Sequence, residues 1–275
     1  MLLSVKDLCI RFHSHLDKPV EAVKHVNFEL NEGEVLAVVG ESGSGKSVTA
    51  LSLTRLLPPS PRCEISGEIH FDKKANLLKF SEWQLQKIRG GGIAYIFQNA
   101  STALNPALTI GFQIAEAIRL HAPIKDVKAK VFEWLKKVGL EPERHYGSYP
   151  FQLSGGMQQR AMIAMALACA PKILVADEPT TALDVTLQNQ IIDLLKALRK
   201  SEHIAIIFIT HNLSLIKNFA DRAIVMYNGE VVEQGPTEQI LKAPQHPYTQ
   251  ALIHCVPSLD HAEQRLKTIE DYQIL

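Results

Sequence analysis

The sequence predicts an α/β fold: buried parallel strands feeding helices, an antiparallel β piece beside them, and a helical insertion. Three observations carry this expectation. The apolar runs 35–39, 173–176 and 204–209 are uninterrupted, as in strands covered on both faces. The first leads through Gly40-Glu41-Ser42-Gly43-Ser44-Gly45-Lys46-Ser47 into a helix-compatible stretch at 47–57, giving a strand, loop and helix in succession. From about residue 99 the apolar spacing becomes helical, with Ile110, Ile114 and Ile118 on one face and Val131, Trp134, Leu135 and Val138 on another.

The remaining elements follow in order. Residues 2–12, 21–30 and 67–71 read as strands of the antiparallel piece, with the polar segment 13–18 as the first turn. Residues 93–97 read as a further strand, and 157–170 as an Ala/Met-rich helix. Asn228-Gly229 between the apolar stretches 222–227 and 230–233 is a strong hairpin signal that closes the core. These readings give one domain over 2–250, a helical subdomain at approximately 99–165 within it, and a short C-terminal tail at 251–275.

Composition narrows the function class. Formal net charge is +0 and no long basic run occurs, so nucleic acid is not an expected partner. Cys9, Cys63, Cys169 and Cys255 are isolated in sequence, which points to a reducing compartment rather than a disulfide framework or metal cage. With Cys255 as its only cysteine, the tail is not expected to hold an iron–sulfur cluster. No charged-then-apolar leader or bilayer-length apolar stretch is read, so membrane work is expected to come through partners.

The motifs carry specific chemistry. Residues 40–47 fit G-x-x-x-x-G-K-[ST], in which glycines let successive backbone N–H groups turn around phosphate oxygens. Lys46 then bridges the β- and γ-phosphates, and the Ser47 hydroxyl is a hard oxygen ligand for magnesium. A chance Gly/Ser-rich surface loop is the bland alternative. The buried run Ile173-Leu174-Val175-Ala176 delivers Asp177 and Glu178 to a carboxyl edge, where ligands bind in open α/β sheets. There Asp177 suits magnesium, and Glu178 suits a general-base or water-orienting role. Ser154, Gly155 and Gly156 stand ahead of the Ala/Met-rich helix, where a hydroxyl and free N–H groups can meet an anion or simply cap the helix.

Together these stretches resemble the nucleotide-binding subunits of ABC transporters, over 2 to about 248. The resemblance implies a P-loop NTPase ABC-ATPase core with an antiparallel β subdomain and an inserted α-helical subdomain, using ATP and Mg2+. It assigns nucleotide binding to Phe12, Gly40, Glu41, Ser42, Gly43, Ser44, Gly45, Lys46, Ser47 and Val48, with Phe12 stacking on adenine in place of the more usual Tyr. Leu153-Ser154-Gly155-Gly156-Met157-Gln158-Gln159-Arg160 resembles the signature loop, which in this family reaches the γ-phosphate of ATP held by the other subunit; Met157 replaces the commoner Gln. By the same resemblance Glu178, His211 and Gln98 are catalytic, and Ser47, Gln98 and Asp177 serve the metal. Asp184 belongs to a loop that communicates across a dimer.

Asn99-Ala100-Ser101-Thr102-Ala103-Leu104-Asn105-Pro106, the passage Ala176 to Asp184, and His246-Pro247-Tyr248-Thr249 resemble the oligopeptide, dipeptide and nickel importer branch. That implies an ATP-hydrolysing subunit coupled to uptake of di- or oligopeptides, with nickel or metallophore import as the alternative. A soluble ABC ATPase outside transport is a third reading. The implied partners are a second ABC ATPase subunit in a heterodimer, two transmembrane permeases that dock on the helical subdomain, and an extracytoplasmic substrate-binding protein. The implied location is the cytoplasmic face of the inner membrane, peripherally bound.

Overall fold

The computed structural model describes residues 1–13, 18–121, 124–181 and 183–254. In chain order the elements are β1 (Leu3–Phe12), β2 (Val20–Leu30), β3 (Val35–Val39), α1 (Lys46–Ser52), β4 (Cys63–Phe71), α2 (Glu82–Gln86), β5 (Ile93–Ile96), α3 (Ala100–Ala103), α4 (Ile110–His121) and α5 (Val127–Lys137). They continue with α6 (Pro142–His145), α7 (Gly155–Leu167), β6 (Ile173–Asp177), α8 (Val185–Glu202), β7 (Ala205–Thr210), β8 (Arg222–Tyr227), β9 (Glu230–Pro236), α9 (Thr237–Lys242) and α10 (Pro247–His254). Two compact units result: Met1–Lys79 with the chain from Phe208 onward, and Phe80–Ile207.

The first unit contains an antiparallel sheet of order β2-β1-β4 and, separately, β3 paired parallel with β8, which pairs antiparallel with β9. All five residues of β3 are buried, as its unbroken apolar sequence requires. The β8–β9 hairpin turns at Asn228 and Gly229, both with positive φ. The expected turn over 13–18 falls mostly on 14–17, and Cys255 with the rest of the tail on 255–275; both lie outside the described residues.

Several boundaries differ from expectation for local reasons. Helix α1 ends at Ser52 rather than 57, because Arg55 takes a left-handed conformation and Leu56 N–H bonds back to Leu51 O at 2.9 Å. Strand β4 starts at Cys63 rather than Gly67, since it pairs with β1 from Phe12 onward. Helix α7 takes in Gly155 and Gly156 and stops at Leu167, ahead of a left-handed Ala170.

The second unit carries the parallel pair β5–β6 and the helical passage predicted by the 3.6-residue spacing. Ile110, Ile114 and Ile118 are buried on α4, and Val131, Trp134 and Leu135 on α5. Asp126 caps α5 by accepting Ala129 N–H at 3.0 Å. Among the described residues no helix is long and apolar enough to cross a membrane.

Candidate functional site

In the first unit the buried strand β3 runs directly into the glycine-rich loop. A side chain at Gly40 would place its Cβ 2.3 Å from the backbone oxygen of Met226, so only glycine lets the loop lie this close to β8. Lys46, 5% exposed, folds back into the loop: its ammonium donates to Gly40 O at 2.8 Å, Glu41 O at 2.6 Å and Ser44 Oγ at 3.4 Å. Those carbonyls replace the water that a buried ammonium loses. The hairpin turn supports the loop from a second side, as Gly229 N–H donates to Ser44 O at 3.2 Å.

Ser42, Gly43 and Ser47 are exposed at the loop surface, and nothing lies within 4 Å of the Cβ position of Gly43. Val48 is half-buried on α1. A buried cation and exposed hydroxyls in one glycine-rich loop suit a polyphosphate. His211 is exposed just past β7, in a turn where Asn212 N–H donates to Thr210 Oγ1 at 3.0 Å. Phe12 is half-buried at the end of β1, opposite Val20 and Cys63.

In the second unit the register Ile96↔Ala176 brings the ends of β5 and β6 to the same edge. Gln98 and Glu178, each two residues beyond that pair, meet there. Gln98 Nε2 donates to Glu178 Oε2 at 3.1 Å, and Thr181 Oγ1 donates to the same oxygen at 2.8 Å. Glu178 has φ +47, so the chain turns sharply at this carboxylate instead of continuing the strand. Asp177, half-buried, is the last residue of β6. Carboxylate and amide oxygens at one edge form a hard donor set that fits magnesium better than a softer metal.

Ser154 occupies the N-cap position of α7, yet its side chain makes no capping bond to its own helix. Gly156 is closely packed, with its Cβ position 3.3 Å from Leu187 Cδ1, whereas Gly155 meets nothing nearer than Leu183 Cδ2 at 3.9 Å. The fold of this unit therefore does not require glycine at 155. Asp184 does cap its helix, accepting Leu187 N–H at 3.0 Å.

Glutamines to which sequence reasoning gave no role of their own hold these loops. Gln158 donates to Pro150 O at 2.8 Å and Leu153 O at 3.2 Å, closing the loop before Ser154. Gln188 donates to Thr180 O and Leu183 O, both at 3.1 Å, closing the loop after Glu178. Gln113 does the same for Asn105 O and Leu108 O, at 3.1 and 3.0 Å. Each stands three residues after the first residue of its helix. A glutamine in the first turn was the available signal.

The same unit holds a cavity of about 430 Å³ lined by residues including Phe97, Leu120, His121 and Cys169. Phe97 and Leu120 are 42% and 74% exposed, large apolar side chains open to a partner. Burial pushes the Cys169 thiol up to about 11 and lowers the pKa of His121, so both favour their neutral forms.

The family model described as "ABC transporter" matches residues 23–181, more than half of the chain and inclusive of both carboxylates and the glycine-rich loop. The chain belongs to the ABC transporter family. A second model, "Oligopeptide/dipeptide transporter, C-terminal region", matches residues 232–274 of this cassette. The oligopeptide transport ATP-binding protein OppD of Bacillus subtilis is 47% identical over 272 residues, covering 98% of this cassette and 75% of that protein. The dipeptide transport ATP-binding protein DppD of Haemophilus influenzae is 46% identical over 272 residues, covering 98% and 82%. The glutathione import ATP-binding protein GsiA of Salmonella typhimurium is 49% identical over 265 residues, 94% of this cassette, which spans 42% of that relative's length. Among solved structures, the dimeric post-hydrolysis state of the ATP-binding cassette MJ0796 bound to ADP and Pi gives a TM-score of 0.75 at 31% identity, covering 86% of this cassette and 99% of that chain.

The His246-Pro247-Tyr248-Thr249 segment does more in this cassette than mark its branch. Tyr248 is fully buried, its ring lies 4.3 Å from that of Tyr227, and its hydroxyl accepts the backbone N–H of Glu41 in the glycine-rich loop at 3.0 Å. Burial pushes the Tyr248 hydroxyl up to about 12, so it stays protonated. Glu233 on β9 seats the start of α10 by accepting the N–H groups of Gln245 and His246 at 2.9 and 3.0 Å.

Proposed function

We propose that this chain is the ATP-hydrolysing, nucleotide-binding subunit of a membrane importer for di- or oligopeptides. The observation that carries the reading is the buried Lys46 ammonium inside a loop whose glycine at 40 admits no side chain, a cradle for the phosphates of ATP. The names of the relatives, and the match to an oligopeptide/dipeptide transporter C-terminal region, support peptides as cargo.

Lys46 and the amides of 40–47 hold the phosphates, and Phe12 packs on the adenine. Following the family resemblance, Ser47, Gln98 and Asp177 would hold Mg2+, which would neutralise charge on the phosphates. Glu178 accepts a proton from, or orients, the attacking water, and His211 contacts the γ-phosphate. Hydrogen bonds from Gln98 and Thr181 orient the Glu178 carboxylate. Ser154 and Gly155, neither committed to its own helix cap nor to close packing, contact ATP bound to a second ABC subunit. Asp184 lies at that junction, and hydrolysis needs the pair of subunits. The helical subdomain, approximately 99–165, meets a permease at the cavity bordered by Phe97 and Leu120. The complex comprises two ATPase chains, two permeases and an extracytoplasmic binding protein, with this chain peripheral on the cytoplasmic face.

The test is uptake. Cells lacking this chain are given labelled di-, tri- and oligopeptides, glutathione included, and are complemented with wild type or Glu178→Gln. Uptake restored by wild type alone supports the reading; peptide uptake that never depended on the chain overturns it.

A further inference from the structure

Three side chains on the antiparallel sheet of the first unit converge in a way their sequence spacing hides. Among the described residues, Asp7, Cys9 and His25 are the one group of three His, Cys, Asp or Glu whose donor atoms all lie within 4.8 Å of one another. His25 Nδ1 lies 2.6 Å from Asp7 Oδ1 and 3.6 Å from Cys9 Sγ. Asp7 and His25 are 71% and 77% exposed at their side chains, which leaves the open side of the group to solvent.

The backbone is arranged for this convergence. Pairing between β1 and β2 shifts register between Val5 and Leu8 and again between Leu8 and Ile10, and such irregularities re-aim side chains. Asp7 and His25 both have left-handed backbones, at φ +48 and +50, a conformation costing about 1 kcal/mol each outside glycine. Gly67 on β4 makes room, since a Cβ there would sit 2.4 Å from Asp7 O. Asn27 braces both: it accepts Asp7 N–H at 2.9 Å and donates to His25 O at 2.7 Å. The His25 backbone N–H donates to Cys9 Sγ at 3.3 Å, which fixes the sulfur.

We propose that Asp7, Cys9 and His25 form a three-ligand site for a borderline divalent cation of the Zn2+ class, with the fourth position open to water. A tetrahedral Zn2+ with bonds of about 2.0–2.3 Å sets nitrogen and sulfur about 3.6 Å apart and nitrogen and oxygen about 3.3 Å apart. The nitrogen–sulfur spacing is already met, and the carboxylate need move only outward, into solvent. One thiolate, one imidazole and one carboxylate favour Zn2+ over Mg2+ or Ca2+. The bound ion ties β1 to β2.

The test uses the untagged full chain without nucleotide, Co2+ as a spectroscopic probe, and Zn2+ competition against a chromophoric chelator. The expected result is one Co2+ per chain with a thiolate-to-cobalt absorption band, displaced by Zn2+. Cys9→Ser should abolish the band, and His25→Ala, which removes a direct ligand, should weaken Zn2+ binding by more than the roughly 10- to 100-fold typical of losing an outer partner, while Cys63→Ser leaves both unchanged. Asp7→Asn, which keeps the side-chain shape, repeats the test if a larger change unfolds the sheet, and circular dichroism of the metal-free variants checks folding. Absence of a thiolate band in excess Co2+, or equal Zn2+ affinity in wild type and Cys9→Ser, overturns the site.

Discussion

The hydroxyl of Tyr248 accepts the backbone N–H of Glu41, so the segment that marks the transporter branch is tied directly to the glycine-rich loop ahead of α1. The bond is made by a fully buried side chain more than 200 residues from its partner in sequence.

Removing that hydroxyl leaves the Glu41 amide without its tyrosine acceptor in a packed setting. Tyr248→Phe should cost about 0.5–1.5 kcal/mol, seen as a roughly 2- to 10-fold rise in KM for ATP while the fold is retained. Steady-state ATPase kinetics of the assembled complex, with thermal melts of the isolated chain, check it; an unchanged KM would remove the tether from nucleotide binding.

Glu178→Gln keeps the shape at the β6 edge and removes charge and proton acceptance. Turnover should fall by about 10²- to 10⁴-fold while MgATP still binds. Nucleotide binding by fluorescence and phosphate release read the two effects separately, and wild-type turnover would refute the catalytic role.

Lys46→Ala deletes the proposed phosphate contact and the bonds from the ammonium to Gly40 O, Glu41 O and Ser44 Oγ. ATP affinity should drop by about 10- to 100-fold, as expected for charge-assisted hydrogen bonds. Unchanged affinity and turnover, measured by calorimetry and ATPase assay, would exclude the loop from the mechanism.

Gly155→Ala separates packing from contact beyond the chain. With nothing nearer than 3.9 Å to the new methyl group, the isolated chain should keep or slightly raise its melting temperature, by up to about 1 kcal/mol of helix propensity. Turnover of the assembled complex should nevertheless fall. Equal turnover would mean that no ligand approaches this glycine closely.

Much of this was legible in the sequence because the signals are local. The run Val35 to Val39 entering a glycine loop, the Asn228-Gly229 hairpin and the isoleucine spacing of α4 are each contained within a few residues, and each formed as read. The carboxyl-edge position of Asp177 and Glu178 followed from one apolar run. What escaped depends on registers and long-range approach. Tyr248 reaches Glu41 only after the whole chain has folded, and Asp7, Cys9 and His25 meet only because irregular pairing turns both strands. The early end of α1 reflects the left-handed Arg55, a choice that no apolar pattern reports.

The glutamine clasps have a practical consequence for chimeras. Gln158 closes a loop that begins at Pro150, and Gln188 closes one that begins at Thr180. Each loop carries its own fastening within a short contiguous segment. Exchange of 150–158 or 180–188 between cassettes should therefore transplant the local geometry with the sequence, whereas a cut between loop and glutamine would graft the residues and lose the shape.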